Sequence, residues 1–505
     1  MATFNETFEK LKCFNQEHLL AHFSNLSEFD QNQLLTEINS FDFGQIEKLH
    51  NQSLHQSNQN GNIDALMEPV PIELFGSVSK SNADDKAMWE AEGLRSIADG
   101  KVAVLLLAGG QGTRLGVNYP KGMYNIGLPS SKTLYQIKAE RIRKLQELAF
   151  ERFGKHGIIP WYIMTSDATR KQTQDFFEKH EYFGLKENQV KFFEQFTLPC
   201  LDFQGKVLLA NPHKLAVAPD GNGGLYKALT HWKILDDMER RGIECTHVHC
   251  VDNILIRIAD PRFIGFCRKM QADCGAKVVE KSAPHEAVGV VCKVDGVYQV
   301  VEYSEVSEDT ACKKDKSGRL VFNAGNICNH YFTTDFLKKV CGSAEDLPHH
   351  VAKKKIPHVN ENGAIIKPDK VNGIKMEKFV FDVFKYSKKF VVFDVPREDE
   401  FSPLKNAEGA ASSSPTQARW ALTSLHHRRI VAAGGRVEDS SGCIVDPQDC
   451  ADKSKEYPIS CEISPLLSYD GEGLAALVEG KILKSPVYLD ESSHTPVNGS
   501  TTITN

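Results

Sequence analysis

The stretch Val102–Gly116, VAVLLLAGGQGTRLG, decides the fold class. Its first six residues form an uninterrupted apolar run, which is typical of a strand buried on both faces of a parallel sheet. Glycines end this run and open a loop. Further on, Thr133 and Gln136 form a T-x-x-Q capping box that predicts the start of a helix. The order of strand, loop and helix predicts an α/β fold.

The same unit recurs along the chain. IIPWYIM ends at Met164 before a polar helical segment, VKFF ends at Phe193, and THVHCV ends at Val251. Alternating strands and helices predict an open, mostly parallel sheet, whose ligands bind outside the carboxyl ends of the strands. Between Ala287 and Tyr303, two alternating apolar runs flank an Asp-Gly pair, which predicts an inserted antiparallel hairpin with a type I′ turn.

Three further regions complete the organisation of the chain. Residues 3–58 carry apolar side chains at helical spacing, and Asp30 with Gln33 resembles a capping box that begins a second helix. A loop of low complexity covers residues 407–417, and a disordered tail is expected from about Ser492. The expected domains are an N-terminal helical region (1–98), a central α/β domain (99–400) and a small C-terminal α/β domain (401–505).

The composition of the chain excludes several classes of protein. Of 505 residues, 41% are hydrophobic and 25% charged, as in ordinary globular proteins. The net charge of -6 gives no global positive field for nucleic acid. Thirteen cysteines without a C-x-x-C pair indicate neither a disulfide framework nor a zinc knuckle, and no apolar run is long enough to span a bilayer. We therefore expect a cytoplasmic protein without nucleic-acid or membrane partners.

The glycine-rich loop that follows the first buried strand is a candidate phosphate-binding site. Its glycines let the backbone approach a ligand and present N–H donors, while Arg114 and Lys121 add positive charge. The spacing G-x-G-x-x-x-G has one spacer too many for the dinucleotide fingerprint, and no Gly-Lys-Ser/Thr closes a Walker loop. The residues predict a polyphosphate ligand outside both of these familiar classes.

Two further motifs have both a structural and a functional interpretation. APDGNGGLY, residues 218–226, runs into a helical segment and offers N–H donors to a nucleotide, but Asp-Gly and Asn-Gly are also ordinary turn pairs. Asp252 directly follows the strand THVHCV, where a carboxylate is well placed to bind Mg²⁺ or to cap a helix. Residue chemistry alone leaves both choices open.

Taken in order and at their intervals, LLLAGGQGTRLG with PKG, APDGNGGLY, VDN, NAGN, GIKMEKFVFD and PLKNA resemble the eukaryotic UDP-N-acetylhexosamine pyrophosphorylases. The resemblance extends from about Glu17 to about Leu474. It implies a Rossmann-like nucleotidyltransferase core and a reversible, Mg²⁺-dependent transfer of uridylyl from UTP to N-acetylglucosamine 1-phosphate. Because the attacking phosphate oxygen is already ionised at pH 7, this chemistry needs no general base. The resemblance also implies small-molecule substrates and a monomer or homodimer.

The resemblance assigns roles to charged residues around the phosphates. Arg114, Lys121 and Lys405 would contact the UTP phosphates and the departing pyrophosphate, and Lys375 would be a further cation of that wall. Asp252 would help to bind the metal ion. Catalysis would then consist of charge neutralisation and alignment.

The resemblance also assigns contacts to the nucleoside and to the sugar. The residues implied for the uridine side are Gly109, Gly110, Gln195, Gly221 and Asn222. Those implied for the sugar hydroxyls are Gly289, Glu302 and Asn326, and Phe379 with Phe381 would line a pocket for the N-acetyl methyl. UDP-N-acetylgalactosamine is left open as a second product.

Two alternative functions are weighed against this one. A UDP-glucose or broad-specificity UDP-sugar pyrophosphorylase would share the fold and the phosphate contacts, but the pair Phe379 and Phe381 favours an N-acetylated sugar. A non-catalytic UDP-sugar sensor would reuse the fold without its chemistry. The joint presence of Arg114, Lys121, Asp252 and Lys405 favours an enzyme over a sensor.

Overall fold

The structure is a computed structural model of the chain and describes residues 3–56, 63–344, 347–450, 452–453 and 455–494. The chain folds into two compact units, which we call unit 1 and unit 2. Unit 1 consists of Met1–Met67, Gln195–His231 and Val340–Lys385, and unit 2 of Glu68–Glu194, Trp232–Lys339 and Tyr386–Asn505. The three-domain division expected from the sequence stays a prediction.

The α-helices of the described residues alternate with strands through most of the chain. They are α1 (Phe4–Lys12), α2 (Glu28–Asn39), α3 (Phe43–Gln56), α4 (Ala83–Ala98), α5 (Leu134–Phe153), α6 (Asp167–Lys179), α7 (Leu225–His231), α8 (Ile234–Arg240), α9 (Pro261–Lys269), α10 (Glu308–Cys312), α11 (Thr334–Cys341), α12 (Arg397–Glu400), α13 (Pro415–Ala432) and α14 (Ala475–Val478). None of them is long and apolar enough to cross a membrane.

The strands of the described residues are numbered in chain order. They are β1 (Met67–Glu68), β2 (Phe75–Ser77), β3 (Val102–Leu107), β4 (Trp161–Thr165), β5 (Val190–Glu194), β6 (Thr197–Pro199), β7 (Leu201–Asp202), β8 (Leu209–Asn211), β9 (Lys214–Leu215), β10 (Val217–Pro219), β11 (Cys245–Cys250), β12 (Cys274–Glu280), β13 (Val290–Val294), β14 (Val297–Val301), β15 (Ala324–Thr333), β16 (His350–Lys354), β17 (His358–Val359), β18 (Ile365–Ile366), β19 (Gly373–Glu377), β20 (Phe390–Asp394), β21 (Arg436–Glu438), β22 (Ile444–Val445), β23 (Cys461–Ile463), β24 (Ile482–Lys484) and β25 (Val487–Leu489).

The main sheet of unit 2 has the strand order β2-β20-β12-β15-β11-β3-β4-β5. Neighbouring strands are parallel except on the two sides of β15, which is antiparallel to β12 and β11. The predicted mostly parallel α/β sheet is confirmed. β13 and β14 form the predicted hairpin, and Asp295 and Gly296 both have positive φ (52° and 75°), as a type I′ turn requires.

The central strand β3 and the helix α5 form as their sequences predict. Every residue of β3 is buried, because the strand lies between two neighbours in a sheet covered on both faces. Thr133 Oγ1 accepts a hydrogen bond from Gln136 N at 3.3 Å and begins α5, which ends at Gly154 in the left-handed conformation. Ile142 and Leu145 of α5 pack in one core with the β3 side chains.

The N-terminal segment is helical as expected, but one predicted boundary is wrong. The expectation was that Asp30 caps the second helix with Gln33. Instead α2 begins at Glu28, because Ser27 Oγ accepts the hydrogen bond from Asp30 N at 3.2 Å and is the N-cap. Asp30 lies in the first turn, where a carboxylate is favoured by the helix dipole, and it accepts a hydrogen bond from Ser27 Oγ at 2.7 Å.

Unit 1 is assembled from three separate parts of the chain. Leu34 and Ile38 of α2 share a core with Leu215, Ile374 and Met376. β19 pairs antiparallel with both β7 and β16, so strands from the second and third parts form one small sheet. The N-terminal helices therefore bury their apolar faces on strands that are distant in the sequence.

The C-terminal part of unit 2 has its own apolar core. Ile430 of α13 packs there with Val437, Cys461 and Val487 from β21, β23 and β25. A short 3-10 helix covers Glu491–His494, where the predicted disordered tail was expected to begin, and residues 495–505 of that tail lie outside the described residues.

Candidate active site

The predicted phosphate loop lies where β3 ends. Ser166 Oγ donates a hydrogen bond to Gly109 O at 2.9 Å, which attaches the loop to the carboxyl end of the neighbouring strand β4. Lys121 N donates to Gly110 O at 3.4 Å, so the loop folds back on the Pro-Lys motif that follows it. The two glycines and the lysine predicted for this site are therefore adjacent in unit 2.

Four charged residues predicted for the site also come together in unit 2. Burial lowers the pKa of Lys121, the Asp252 carboxylate opposes this shift, and the charges of Lys405 and Arg114 lower the pKa further. Lys121 Nζ donates a hydrogen bond to Leu404 O at 3.1 Å. Arg114 and Lys405 are exposed, while Lys121 and Asp252 are half-buried. Three cations and one carboxylate thus lie together near the carboxyl ends of β3 and β11.

Asp252 has the chemistry of a magnesium ligand. It follows β11, and its backbone oxygen accepts a hydrogen bond from Leu404 N at 2.9 Å. Its half-buried carboxylate accepts no hydrogen bond and forms no ion pair with another described residue. Mg²⁺ takes few protein ligands and completes its shell with water and phosphate oxygens, so one open carboxylate beside the predicted phosphate loop fits this ion.

Two buried cations of α5 hold the segment that follows β11. Lys138 Nζ donates a hydrogen bond to Asn253 O at 3.2 Å, and Arg141 Nη1 donates to Ile254 O and Ile256 O at 2.8 and 2.7 Å. Complete burial lowers the pKa of Lys138 to about 7. Sequence reasoning missed both residues, although their position on the apolar face of α5 is a signal that could have found them.

The three residues predicted for the sugar hydroxyls lie together in unit 2. Asn326 N donates a hydrogen bond to Gly289 O at 2.8 Å, which joins β15 to the start of the hairpin. A Cβ atom at Gly289 would lie 3.0 Å from Glu302 Oε1, so the carboxylate of Glu302 lies directly over this glycine. The structure therefore brings Gly289, Glu302 and Asn326 into one cluster.

The glycine loop of unit 1, residues 221–224, packs against the segment that follows β19. Gly221 has φ of +88°, and a Cβ atom there would lie 2.3 Å from Lys378 O. Gly223 N donates to the same carbonyl at 2.8 Å, and Asn222 Oδ1 accepts a hydrogen bond from Val380 N at 2.9 Å. The loop has this shape only because glycine occupies these positions.

Phe379 and Phe381 form an apolar surface next to this loop in unit 1. Their ring centroids are 5.1 Å apart, and Phe381 is 7% exposed whereas Phe379 is half-buried. The His350 ring stacks on Phe379 at 4.2 Å, and Asp382 Oδ2 accepts a hydrogen bond from Phe379 N at 2.8 Å. The two aromatic side chains are therefore held in fixed positions.

Two predicted site residues of unit 1 are not joined to these clusters. Lys375 lies on β19 opposite Ala352, and its charge acts on the buried thiol of Cys200. No hydrogen bond or ion pair of the described residues connects Lys375 with the glycine loop. Gln195 is half-buried and directly follows β5, as the sequence predicts. The roles of both residues stay predictions.

The chain is similar to known proteins over most of its length. A family model described as "UTP--glucose-1-phosphate uridylyltransferase" matches residues 43–432. The "UDP-N-acetylhexosamine pyrophosphorylase-like protein 1" of Homo sapiens is 51% identical over 496 residues, 97% of this chain and 98% of that protein. The protein of the same name from Xenopus tropicalis is 56% identical over 446 residues, 88% of this chain and 87% of that protein.

A solved structure has the same fold over nearly the whole chain. The crystal structure of the uridine diphosphate N-acetylglucosamine pyrophosphorylase from Trypanosoma brucei, in complex with an inhibitor, has a TM-score of 0.79 and 32% sequence identity. The match covers 94% of this chain and 95% of that one. Sequence motifs, fold and relatives lead to one conclusion: the chain belongs to the family of the UDP-N-acetylhexosamine pyrophosphorylases.

Proposed function

We propose that this protein transfers the uridylyl group of UTP to N-acetylglucosamine 1-phosphate and releases pyrophosphate, in a reversible reaction that forms UDP-N-acetylglucosamine. The observation that carries this proposal is the convergence of Arg114, Lys121 and Lys405 with Asp252 at the carboxyl ends of the strands. The name of the Trypanosoma brucei relative gives the same activity for that protein.

The reaction requires alignment and charge neutralisation rather than proton transfer. The attacking phosphate oxygen of the sugar phosphate is ionised at pH 7, so no general base has to activate it. Arg114, Lys121 and Lys405 would draw the triphosphate into position and stabilise the charge that moves onto the departing pyrophosphate. Because Lys121 is partly buried, its charge acts through a medium of lower polarity than water and has a larger effect.

Mg²⁺ is the proposed cofactor. Asp252 would supply one oxygen ligand, and the open position of its carboxylate supports this assignment. Bound magnesium would neutralise charge on the oxygens of the triphosphate. We expect Asp252→Asn to raise the Mg²⁺ concentration needed for half-maximal activity by about tenfold, because an amide oxygen carries no net charge. Titration of the rate with Mg²⁺ at saturating UTP measures this shift.

The remaining predicted residues supply the proposed contacts to the rest of the substrates. Gly289, Glu302 and Asn326 would bind the sugar hydroxyls, and Phe379 with Phe381 would contact the N-acetyl methyl. The proposed contacts on the uridine side are Gly109, Gly110, Gln195, Gly221 and Asn222, and Lys375 stays a further proposed cation. The clustering of Gly289 with Glu302, and of Asn222 with the two phenylalanines, supports these assignments.

One experiment tests this function against both alternatives. Pyrophosphate release is measured with UTP, Mg²⁺ and a panel of sugar 1-phosphates: N-acetylglucosamine, N-acetylgalactosamine, glucose and galactose. We expect kcat/KM to be highest for the N-acetylated sugars. Equal or higher kcat/KM with glucose 1-phosphate would instead identify a UDP-glucose or broad-specificity enzyme. Binding of UDP-N-acetylglucosamine without pyrophosphate release would identify a UDP-sugar sensor.

The location and assembly of the protein are also proposals. We propose that it acts in the cytoplasm, which is supported by thirteen cysteines that are all free thiols. We propose a monomer or homodimer that acts on small molecules and binds neither nucleic acid nor membranes, in keeping with the net charge of -6. Cell fractionation and light scattering of the purified protein test these statements.

A further inference from the structure

Residues 400–405, which we call the lysine strap, run antiparallel to the turn that carries Asp252. Two backbone hydrogen bonds join the strap and the turn: Leu404 N to Asp252 O at 2.9 Å and Ile254 N to Ser402 O at 3.3 Å. The strap ends at Lys405, whose exposed side chain forms no hydrogen bond or ion pair with another described residue. The position of the Lys405 side chain therefore depends on the position of the strap backbone.

Asn253 connects the turn to the strap through its side chain. Its Nδ2 donates a hydrogen bond to Glu400 O at 2.6 Å, and its Oδ1 accepts hydrogen bonds from Ser402 N at 3.0 Å and Leu255 N at 3.2 Å. Asn253 is 4% exposed, so water does not compete for these groups. A single buried amide thus binds both ends of the segment Glu400–Ser402 and also its own turn.

The strap is anchored on both sides of this contact. The Glu400 carboxylate pairs with Lys277 Nζ at 2.5 Å, and Lys277 pairs with Asp260 at 2.7 Å, all three side chains being buried. At the other end Lys121 Nζ holds Leu404 O. Asn253 binds the strap between these anchors and directly follows Asp252 in the chain. It therefore fixes the position of the strap relative to the Asp252 carboxylate.

We infer that Asn253 is a positioning residue for uridylyl transfer: its amide fixes the backbone that carries Lys405 relative to Asp252. The inference rests on the proposed function, in which the two charged side chains act on the same phosphates. Displacement of a reacting group by about 1 Å can cost about 10²-fold in rate. We call the hydrogen bonds of the Asn253 side chain to Glu400 O and Ser402 N the clamp. Loss of the clamp is therefore expected to lower kcat while the affinity for the nucleotide changes less.

The first test measures the clamp without reference to activity. In Asn253→Ala, the Ser402 amide loses its acceptor, and we expect its hydrogen exchange in the intact protein to become at least tenfold faster. The matched control is Gln189→Ala, which removes a buried amide that donates to Ile159 O at 2.7 Å and lies at the amino end of β5. Unchanged Ser402 exchange in Asn253→Ala would overturn the inference.

The second test asks whether Asn253 acts through Lys405. We expect Asn253→Ala to lower kcat by about 10- to 100-fold, but to change kcat less than twofold when Lys405 is already alanine. Gln189→Ala should leave kcat within twofold in both backgrounds. Equal losses from Asn253→Ala in the two backgrounds would mean that Asn253 acts independently of Lys405, and this outcome would overturn the inference.

A second variant keeps the test informative if the alanine protein does not fold. Asn253→Asp preserves size and the acceptor but places an oxygen against Glu400 O, so we expect the same Lys405-dependent loss of kcat. If Asn253→Asp lowered kcat equally in the wild-type and the Lys405→Ala backgrounds, the inference would be overturned. If the wild-type protein releases no pyrophosphate, the proposed function fails, whereas hydrogen exchange at Ser402 still decides whether the clamp exists.

Discussion

The charged cluster of unit 2 and the glycine loop of unit 1 achieve a defined geometry by different means. In unit 2, the exposed side chain of Lys405 projects from a strap whose backbone is hydrogen-bonded to the buried amide of Asn253, and Lys138 in turn donates a hydrogen bond to Asn253 O. In unit 1, the backbone conformation of the glycine loop itself defines the geometry, because there is no room for a Cβ atom at Gly221. Removal of a charge from the cluster of unit 2 should therefore lower activity without lowering stability. A substitution in the glycine loop of unit 1 should lower both, because it strains the backbone.

The largest effect is expected from Arg114→Ala. Removal of a charge that is proposed to act on the reacting phosphates should lower kcat by about 10²- to 10³-fold, because such contacts act mainly in the transition state. The melting temperature should stay within about 2 °C, since Arg114 is exposed. Lys171→Ala, which removes an exposed cation paired with Asp175 on α6, is the control for surface charge. Full activity of the Arg114 variant would show that another cation has this role.

Gly221→Ala should have the next largest effect and, unlike Arg114→Ala, should lower both activity and stability. The new Cβ would meet Lys378 O at 2.3 Å in a backbone conformation that favours glycine. We expect kcat/KM for UTP to fall by about 10- to 100-fold and the melting temperature to fall as well. In the control Gly242→Ala, φ is also positive (+70°) but the added Cβ meets no atom within 4 Å. Equal behaviour of the two variants would rule out the steric contact as the cause.

Phe379→Ala should change substrate choice with a smaller effect on rate. Its ring is half-buried and stacks on His350, so truncation removes apolar surface proposed to face the N-acetyl methyl. A methyl contact contributes about 1–3 kcal/mol, and we expect the kcat/KM ratio of N-acetylglucosamine 1-phosphate to glucose 1-phosphate to fall about tenfold. An unchanged ratio would place the N-acetyl group elsewhere. The glucose substrate is the internal control for general damage.

The smallest effect is expected on the pH dependence of stability. Burial raises the pKa of Asp220, next to the glycine loop, to about 7. Between pH 4 and pH 7 the folded protein then binds more protons at this carboxyl than the unfolded chain, so its contribution to stability decreases as the pH rises. We expect the wild type to lose about 1 kcal/mol or more between pH 5 and pH 8 relative to Asp220→Asn. Denaturant unfolding of both proteins at each pH measures the difference, and parallel profiles would contradict the shift.

The sequence predicts best those features that depend on neighbouring residues. The apolar run of β3, the Thr133 cap and the hairpin turn at Asp295 each follow from short patterns, and all three are confirmed. The clustering of Arg114 with Lys405 was expected from the family resemblance alone, because no local pattern of the sequence relates the two residues. Some local features were wrong: Ser27, not Asp30, caps α2, because both residues have the chemistry of an N-cap, and α13 begins at Pro415, inside the predicted loop 407–417.

Features that depend on distant partners could not be predicted. In the sequence, Asn253 is the last residue of the short motif VDN. Nothing in the neighbouring sequence shows that its amide binds the backbone of Glu400, 147 positions later. The position of Lys138 and Arg141 on the apolar face of α5 indicates that they are buried, but it does not show that their partners are backbone carbonyls of residues 253–256. Buried polar side chains of this kind acquire their roles only from tertiary structure, which is why the supporting contacts of the site were missed.

The three-part composition of unit 1 has a consequence for the synthesis of the protein. The side chains Ile374 and Met376, which complete the core beneath α1–α3, are translated about three hundred residues after these helices. At about 5–20 residues per second this interval lasts roughly 15–60 s. Until then the apolar core of unit 1 lacks these two side chains, so a chain that ends before Ile374 cannot complete the interior of unit 1.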